Sequence, residues 1–591
     1  WMYLKTTRNG ASFSEYKNFI EQNSEYPRIN RIRFLAEGKI YLRNNSPTSI
    51  INWFDKYPPL GGMGKIKLAE AYLEKGQTEE VKRLIKEGWE TATISKNDLG
   101  YYRAKFKKFI NSEDHIKRAD YLAWEKKYWD LKRMLKYLPK DQRALYNARQ
   151  ILMSNSYGVD NAISKVPEYL KKDPGLEFDR LRWRNRRGRL EGSLEILYRN
   201  SIKTEQQMVR PDKWWEQRES VVRSLIYKKR YKTAYKISSE HALSAGPSFA
   251  EAEWLSGWIA ITFLNSPEYA ISHFQNFYNN VSYPISLARG AYWLGQSYEN
   301  LGEKDLSNKF YAEAAKFPMT YYGQLAFNKI NPSGNFELVD QSSFSKEYEK
   351  EFKKNKLIRH IILLNELDAT QLGKDIFKHL AELNIESGSE VLAAELATSV
   401  ERYDFAIQIS KKASYQKRFY NKFNYPIIAT PKTVNNKVMP KQEIVLAIIR
   451  QESEFDKKAN SWAGARGMMQ LMKPTAKIVA KQAKLPYSIS GLTQDPEYNI
   501  KLGSYYFNGL LEDYNGVFPF AIAAYNAGPN RVKTWRRVNG DPSKGQISYI
   551  NWIEQIRFKE TRNYVQRVLE NINVYKYILR KEPVQIDSYF N

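Results

Sequence analysis

A mainly α-helical, multidomain protein is predicted by the length of the chain, its hydrophobic periodicity and an internal repeat. The chain has 591 residues, more than a single hydrophobic core organises. Over about the first 330 residues, apolar side chains recur at three- and four-residue spacing between short polar turns. Trp215, Trp254 and Trp293 are 39 residues apart in both intervals (254 − 215 and 293 − 254). Such a period is typical of stacked helix pairs, so we expect these tryptophans to pack between helices.

The regular pattern breaks at residues 331–335, which read Asn-Pro-Ser-Gly-Asn. Turn-forming residues in this density indicate a domain boundary. We therefore predict an α-superhelical repeat domain over residues 1–345 and a helical linker domain over 346–420. A proline-containing loop then leads into a third domain, predicted over 421–591.

Composition excludes several classes of protein. Hydrophobic residues make up 42% and charged residues 27%, as in soluble globular proteins. There are no cysteines, which rules out disulfides, thiolate catalysis and cysteine-ligated metals. The five histidines lack metal-binding spacing, so we expect neither a metal nor a cofactor. No apolar run approaches the length of a membrane span, and residues 1–5 do not begin a signal peptide.

The chain is strongly basic, with a formal net charge of +28 and a pI near 9.6. Such a surface favours polyanionic partners, including nucleic acid, anionic lipid and carboxylate-bearing cell wall. The densest basic cluster, residues 180–189, reads Arg-Leu-Arg-Trp-Arg-Asn-Arg-Arg-Gly-Arg. Since no nucleic-acid-binding motif accompanies it, we interpret it as a helix end whose arginines are solvated or cap carbonyl groups.

Near the C-terminus, one carboxyl group lies at the end of an apolar helical stripe. Ile444, Ile448 and Glu452 are spaced four residues apart and share one helix face, whereas Glu454 points about 200° away. Partial burial and the negative end of the helix dipole both raise a carboxyl pKa. A carboxylic acid that stays protonated near neutral pH is what a glycosidase needs to protonate a leaving oxygen. The alternative is a buried structural glutamate, which this helix alone does not exclude.

Two further segments supply groups that suit a sugar ligand. Residues 461–472 read Ser-Trp-Ala-Gly-Ala-Arg-Gly-Met-Met-Gln-Leu-Met, with two glycines that allow a tight turn. Within this segment, Gln470 offers both a donor and an acceptor to sugar amides and hydroxyls. Residues 523–530 place Tyr525 and Asn526 just before a Gly-Pro turn. Residues 560–565, Glu-Thr-Arg-Asn-Tyr-Val, then open the last amphipathic helix.

These motifs resemble those of the soluble lytic transglycosylases, which have a goose-type lysozyme-like catalytic domain and belong to glycoside hydrolase family 23. The resemblance is specific over residues 439–579, and it rests on five pieces in the same order: residues 450–453, 464–470, 499–503, 524–528 and 560–562. The helical N-terminal part and residues 214–218 resemble the large periplasmic members. The resemblance thus implies an α-superhelical (ring-like or solenoid) domain, a helical linker domain and a C-terminal lysozyme-like α domain.

The resemblance also implies a role for individual residues. Glu452 matches the family's single catalytic acid and base, Ser461 a residue that polarises the N-acetyl group, and Tyr525 a hydroxyl beside the catalytic carboxyl. The residues that match the substrate groove are Ala524, Asn526, Met469, Gln470, Met472 and Glu560. For Glu560, a salt bridge that fixes the last helix is an equally good interpretation. For Trp462, Trp535 and Trp552, core packing is predicted in preference to the alternative, stacking on a sugar ring.

The activity implied is non-hydrolytic cleavage of the β-1,4 bond between N-acetylmuramic acid and N-acetylglucosamine in peptidoglycan (murein), leaving 1,6-anhydromuramic ends. Glu452 would act with the substrate's own N-acetyl group, an exception to the usual pair of carboxylates. The expected partner is a glycan strand with stem peptides, and we expect no nucleic acid, no integral membrane segment, a monomer and a periplasmic location with the signal peptide removed. The alternatives are a hydrolytic muramidase that uses the same site and a non-catalytic peptidoglycan-binding scaffold.

Overall fold

A computed structural model describes residues 1–154, 157–201, 204–332, 334, 336–582 and 585–590. These residues form 34 α-helices, five short 3₁₀ helices and one two-stranded antiparallel sheet, which confirms the mainly α-helical prediction. The 3₁₀ helices cover Leu135–Tyr137, Glu168–Leu170, Thr370–Gly373, Pro542–Lys544 and Ile586–Tyr589. No helix in the described ranges combines the length and the apolar composition that crossing a membrane requires.

The chain divides into two compact units, Trp1–Gln217 and Arg218–Asn591. The predicted domain limits at 345 and 420 are not tested by this division and stay predictions. In the predicted boundary at 331–335, Ser333 and Asn335 lie outside the described residues.

The first unit consists of helices joined by short turns. Its helices are α1 (Phe13–Gln22), α2 (Ile29–Glu37), α3 (Pro47–Lys56), α4 (Gly62–Glu74), α5 (Thr78–Thr91), α6 (Lys96–Lys105), α7 (Ser112–Trp124), α8 (Tyr128–Met134), α9 (Lys140–Leu152), α10 (Val159–Ser164), α11 (Pro174–Arg186), α12 (Leu190–Arg199), α13 (Glu205–Met208) and the start of α14 (Pro211–Tyr227). Side-chain caps start several of them. Ser12 and Asn111, for example, form capping boxes with the third residue of α1 and α7.

The arginine cluster at 180–189 occupies the end of α11, and its side chains are engaged within the chain. Arg182 pairs with Asp179 at 2.9 Å. Arg186 donates to the carbonyl oxygens of Leu152 and Met153 at the end of α9. These contacts confirm the interpretation of a helix end whose arginines cap carbonyl groups.

The second unit contains three successive groups of elements, and the last group includes the two short strands. The first group is α15 (Tyr231–Ser239), α16 (Gly246–Phe263), α17 (Pro267–Asn279), α18 (Pro284–Asn300), α19 (Lys304–Ala315) and α20 (Tyr321–Ile330). The second is α21 (Lys346–Lys353), α22 (Lys356–Glu366), α23 (Lys374–Ala381), α24 (Ser389–Ser399), α25 (Tyr403–Tyr415) and α26 (Asn421–Asn424). The last is β1 (Thr433–Val434), β2 (Lys437–Val438), α27 (Gln442–Ser453), α28 (Lys473–Gln482), α29 (Gly491–Gln494), α30 (Pro496–Asp513), α31 (Phe518–Ala527), α32 (Pro529–Asn539), α33 (Tyr549–Gln555) and α34 (Lys559–Arg580).

The repeat tryptophans serve helix packing, as predicted. Trp215 on α14, Trp254 on α16 and Trp293 on α18 are all buried. The rings of Trp254 and Trp293 meet edge to face, with centroids 6.2 Å apart, and Trp293 also stacks on Phe274 of α17. Trp254 and Trp293 therefore fill the space between successive helices of the second unit.

The C-terminal elements are organised around α34. Both α27 and α31 pack against this helix, which places the end of α27 beside the first turns of α34. Before α27, Asn435 and Asn436 both have positive φ values of 48° and 60°, and they form the two-residue turn between β1 and β2. Although proline suits the first turn of a helix, Pro440 lies before α27, which starts at Gln442 because Lys441 is extended and acts as the N-cap.

We expect Trp254→Ala to lower the stability of the protein by about 3–5 kcal/mol, because it removes a fully buried indole and leaves a cavity. Trp129→Ala is the control, since this side chain is 65% exposed and its loss should change stability by less than about 0.5 kcal/mol. Thermal and urea unfolding measure both. Equal effects of the two substitutions would contradict the packing role of Trp254.

Candidate active site

Glu452 lies in the last turn of α27, at the C-terminal end of the apolar face of the helix. Ile444 and Ile448 on the same face are buried, as the four-residue spacing predicts. The Oε1 atom of Glu452 accepts a hydrogen bond of 2.7 Å from the phenol of Tyr564 on α34. The packing of α27 on α34 therefore brings a carboxyl group and a phenol together from residues 112 positions apart.

The surroundings of Glu452 favour its protonated form. Burial raises the pKa of the Glu452 carboxyl to about 7, the Tyr564 hydrogen bond opposes this rise, and the negative charge of Glu560 adds to it. The same burial, together with the Glu452 charge, raises the pKa of Tyr564 and of Tyr525 well above that of a free phenol. The two tyrosines thus remain neutral donors, while Glu452 exchanges a proton near neutral pH.

Glu454, two residues further on, has a different environment, as the helical wheel predicts. Its carboxyl group accepts hydrogen bonds from Lys411 Nζ at 2.7 Å and from Gln408 Nε2 at 2.9 Å, both on α25. Burial alone would raise the pKa of Glu454, but Lys411 and Gln408 outweigh it and hold the pKa below its usual value. Glu454 is therefore a charged anchor, and it ends α27 in a left-handed conformation with φ 53°.

After α27, residues 459–471 form a double-turn loop, with bridge pairs Asn460–Arg466 and Arg466–Leu471. The fully buried Asn499 of α30 fixes this loop: its Oδ1 accepts from Met469 N, and its Nδ2 donates to Arg466 O. Gly467 adopts φ 75°, and a Cβ atom there would lie only 2.0 Å from the carbonyl oxygen of Leu492. Glycine is therefore required at 467 for the loop to approach α30.

The two polar side chains predicted to bind substrate from this loop are held by the loop itself. Ser461 Oγ accepts a hydrogen bond from Ala465 N at 2.9 Å. Gln470 Nε2 donates to Gly467 O at 2.8 Å and to Ala459 O at 3.3 Å. These hydrogen bonds orient both side chains. The hydroxyl proton of Ser461 and the amide oxygen of Gln470 are not used in them and can still bond to a ligand.

Tyr525 on α31 is close enough to Glu452 to sense its charge, but its hydroxyl donates to the carbonyl oxygen of Met469 at 2.8 Å. It therefore links the loop to the carboxyl region. The next residue, Asn526, accepts a hydrogen bond of 2.6 Å from Thr561 Oγ1 on α34. Ala524 and Met469 are fully buried, and the backbone N–H and carbonyl of Met469 are hydrogen-bonded to Asn499 and Tyr525.

Met472 and Glu560 are accessible. Met472 is exposed at the N-cap of α28. Glu560 is exposed in the first turn of α34, and no ion pair involves it in the part of the chain that the structure describes. Exposure without a cationic partner favours the groove acid over the salt bridge for Glu560.

The three tryptophans near the site do not behave alike. Trp535 and Trp552 are buried, so their predicted core packing is confirmed. The prediction was wrong for Trp462, whose exposure is 101% of that of a free side chain. It lies at a turn that projects from the loop, where nothing from the core can cover it.

The sequence analysis assigned no function to Tyr564 or Asn499. Tyr564 follows Glu560 by four residues and so shares its helix face, a signal that was available once Glu560 was considered. The role of Asn499 depends on the loop conformation, which spacing alone does not give. In the described ranges, no group of three or more His, Cys, Asp or Glu side chains is arranged to hold a metal ion. The Glu452 carboxyl is hydrogen-bonded to the Tyr564 phenol, and the Tyr525 phenol is hydrogen-bonded to the neighbouring loop.

The family model of the Transglycosylase SLT domain matches residues 431–548. The soluble lytic murein transglycosylase of Escherichia coli K12 is 40% identical over 148 residues, which are 25% of this chain and 22% of that protein. A Haemophilus influenzae protein is 30% identical over 272 residues, 45% of this chain and 44% of its own. The chain thus spans less than half the length of these relatives.

Solved structures match over nearly the whole chain. The lytic transglycosylase Slt of Pseudomonas aeruginosa, as an inactive mutant, superimposes with a TM-score of 0.71 at 20% identity, covering 98% of this chain and 90% of that one. The 70 kDa soluble lytic transglycosylase of Escherichia coli gives 0.67 at 19% identity, covering 97% and 89%. Residues 431–548 therefore match the Transglycosylase SLT domain, and the chain has the fold of the solved soluble lytic transglycosylases.

Proposed function

We propose that this protein is a peptidoglycan lytic transglycosylase that cleaves the bond between N-acetylmuramic acid and N-acetylglucosamine and leaves 1,6-anhydromuramic ends. The observation that carries the proposal is the Glu452 carboxyl, half-buried, hydrogen-bonded to Tyr564 and with a pKa near 7. Its relatives in Escherichia coli bear the name of soluble lytic murein transglycosylases, and one matching structure is a complex of such an enzyme with bulgecin A.

The proposed reaction uses Glu452 twice. The protonated carboxyl first gives its proton to the glycosidic oxygen as the bond to C1 of the muramic sugar breaks, and the carbonyl oxygen of that sugar's N-acetyl group bonds to C1. The resulting carboxylate then takes the proton of the C6 hydroxyl. The C6 oxygen attacks C1, the N-acetyl oxygen leaves, and the anhydro ring closes without water.

The neighbouring groups suit this cycle. Tyr564 donates to Glu452 and stabilises the carboxylate that forms after the first proton transfer. The free proton of Ser461 is available to the N-acetyl group. Glu560, Gln470, Met472 and Asn526 are proposed to line the groove, and the fully buried Met469 and Ala524 to support it from behind. With a pKa near 7, the carboxyl group can act first as acid and then as base, because neither its protonation nor its deprotonation costs much free energy at neutral pH.

The wider assignments belong to the same proposal. A cell-wall glycan with acidic stem peptides is a natural partner for a chain of net charge +28. Because this substrate lies outside the cytoplasmic membrane, we place the protein in the periplasm. We propose that it acts there as a monomer. The three domains at 1–345, 346–420 and 421–591 remain our proposal for its organisation.

We expect Glu452→Gln to abolish the release of anhydro-ended muropeptides from purified sacculi, with a loss of at least about a hundredfold. Glutamine keeps the shape and the Tyr564 contact but cannot donate the proton. Mass spectrometry of the soluble products is the measurement, and Glu454→Gln is the matched control two residues away. Products one water heavier from the wild type would make it a muramidase, and no products at all would favour a non-catalytic scaffold.

The pH dependence should follow Glu452. Since the first step needs the protonated carboxyl, kcat/KM should fall as pH rises through about 7. Tyr564→Phe removes a hydrogen bond that lowers this pKa, so its profile should move to higher pH. Glu560→Gln removes a charge that raises the pKa, and its profile should move to lower pH. Shifts of the same sign in both variants would contradict the assignment of the titrating group.

Protein stability offers an independent check of the raised pKa. Glu452 has an unfolded-state pKa of about 4.3, so ionisation at higher pH opposes folding, and the cost is complete above the folded pKa of about 7. Glu452→Gln should therefore stabilise the protein by about 1–2 kcal/mol at pH 8 and not at pH 4. Glu454→Gln should destabilise at pH 8, because it weakens a pair with Lys411. Unfolding curves at the two pH values measure both effects.

A further inference from the structure

Trp462 is the most exposed tryptophan among the described residues, and its backbone is fixed. Gly464 N donates to Ser461 O, and Ser461 N donates to Ala465 O, both at 2.9 Å. Gly464 has φ 91°, which completes a three-residue hairpin loop of the kind that ends in a left-handed glycine. The Ser461 hydroxyl closes the same turn from its side chain. An indole is thus presented to solvent on a rigid support.

The register of the loop places Trp462 near residues proposed to bind the glycan. Ser461 precedes it directly. Because Arg466 pairs antiparallel with Leu471, Met472 lies across from Ala465, which itself pairs with Ser461. Adjacent strands are about 4.8 Å apart, so Ser461 and Met472 are roughly 10 Å from each other. Trp462 and the exposed Met472 therefore stand at the same end of the loop.

An exposed, preorganised indole suits one kind of ligand here. Tryptophan combines a large apolar face with one N–H donor, and a rigid aromatic loses little conformational freedom on binding. The faces of a pyranose ring are apolar C–H surfaces bordered by hydroxyls. The same indole left in water gives no folding benefit, because it covers no apolar surface of the chain.

We propose that Trp462 is a positioning residue that stacks on a sugar ring of the glycan strand next to the one that meets Ser461. This inference rests on the proposed function for the identity of the polymer. Trp462 touches no reacting atom, so it holds the strand in register, while Glu452 performs the chemistry.

The experiment measures binding and turnover separately. Binding is measured by calorimetry with chitohexaose as the probe, in a Glu452→Gln background that cannot cleave, with and without Trp462→Ala. Turnover is measured on uncrosslinked glycan strands with the otherwise native protein. Trp462→Phe tests whether a smaller aromatic ring restores binding and turnover. Trp129→Ala is the control for an exposed tryptophan elsewhere. Circular dichroism and the unfolding temperature verify that each variant folds.

We expect Trp462→Ala to weaken chitohexaose binding and to raise KM by about tenfold each, the loss typical of one aromatic stacking contact. The change in kcat should be much smaller, Trp462→Phe should recover part of the loss, and Trp129→Ala should have no effect. Unchanged binding and KM in Trp462→Ala would overturn the proposal, as would a change confined to kcat. A change confined to self-association, measured by sedimentation, would also overturn it.

The two proposals fail in different ways. If anhydro-ended products are absent but Trp462→Ala still weakens chitohexaose binding, the stacking role stands and the transglycosylase reaction does not. If products form and Trp462→Ala binds the probe as tightly as its parent, the reaction stands and the stacking role does not.

Discussion

The packing of α27 against α34 is the constraint on which the site depends, because it decides what surrounds the Glu452 carboxyl. One helix supplies the carboxyl at the end of its apolar stripe, and the other supplies Tyr564 and Glu560 from a single face. Burial without a cation raises the pKa, and the phenol limits that rise while keeping the group oriented. Glu454 shows the contrast: it follows two residues later, faces another direction and pairs with the ammonium group of Lys411. Neighbouring carboxyls of the same helix thus acquire opposite pKa shifts from their positions alone.

The loop at 459–471 is the second element of the site, and its order comes from inside the chain. Asn499 binds it at two points from α30, Tyr525 binds Met469 from α31, and the Ser461 and Gln470 side chains close its turns. Groups that a ligand would meet are therefore already held in place before binding, and little ordering is left for the ligand to impose. The positive φ values of Gly464 and Gly467 explain why glycine occurs at these two positions.

Much of this architecture could be predicted from the sequence, because periodic patterns report local structure directly. The helical repeats, the burial of Trp254 and Trp293, the stripe that ends at Glu452 and the outward direction of Glu454 all follow from spacing along one helix. What could not be predicted depends on contacts between distant segments. The phenol of Tyr564 meets Glu452 only because two helices pack together, and α27 begins after Pro440 because Lys441 is extended. Trp462 was predicted to be buried from its residue type alone, whereas its exposure results from the turn that carries it.

The left-handed ending of α27 also bears on how the chain can be divided. A helix commonly stops at a glycine, which needs no outside support, but α27 stops at Glu454, whose conformation is held by Lys411 and Gln408 of α25. The Tyr564 partner of Glu452 lies on α34, past residue 548, where the family match ends. A fragment trimmed to residues 431–548 would consequently lack both supports of the helix turn that bears Glu452. A fragment that keeps both supports must extend at least from α25 to α34, so the segment matched by the family model is shorter than the segment that holds the Glu452 turn in place.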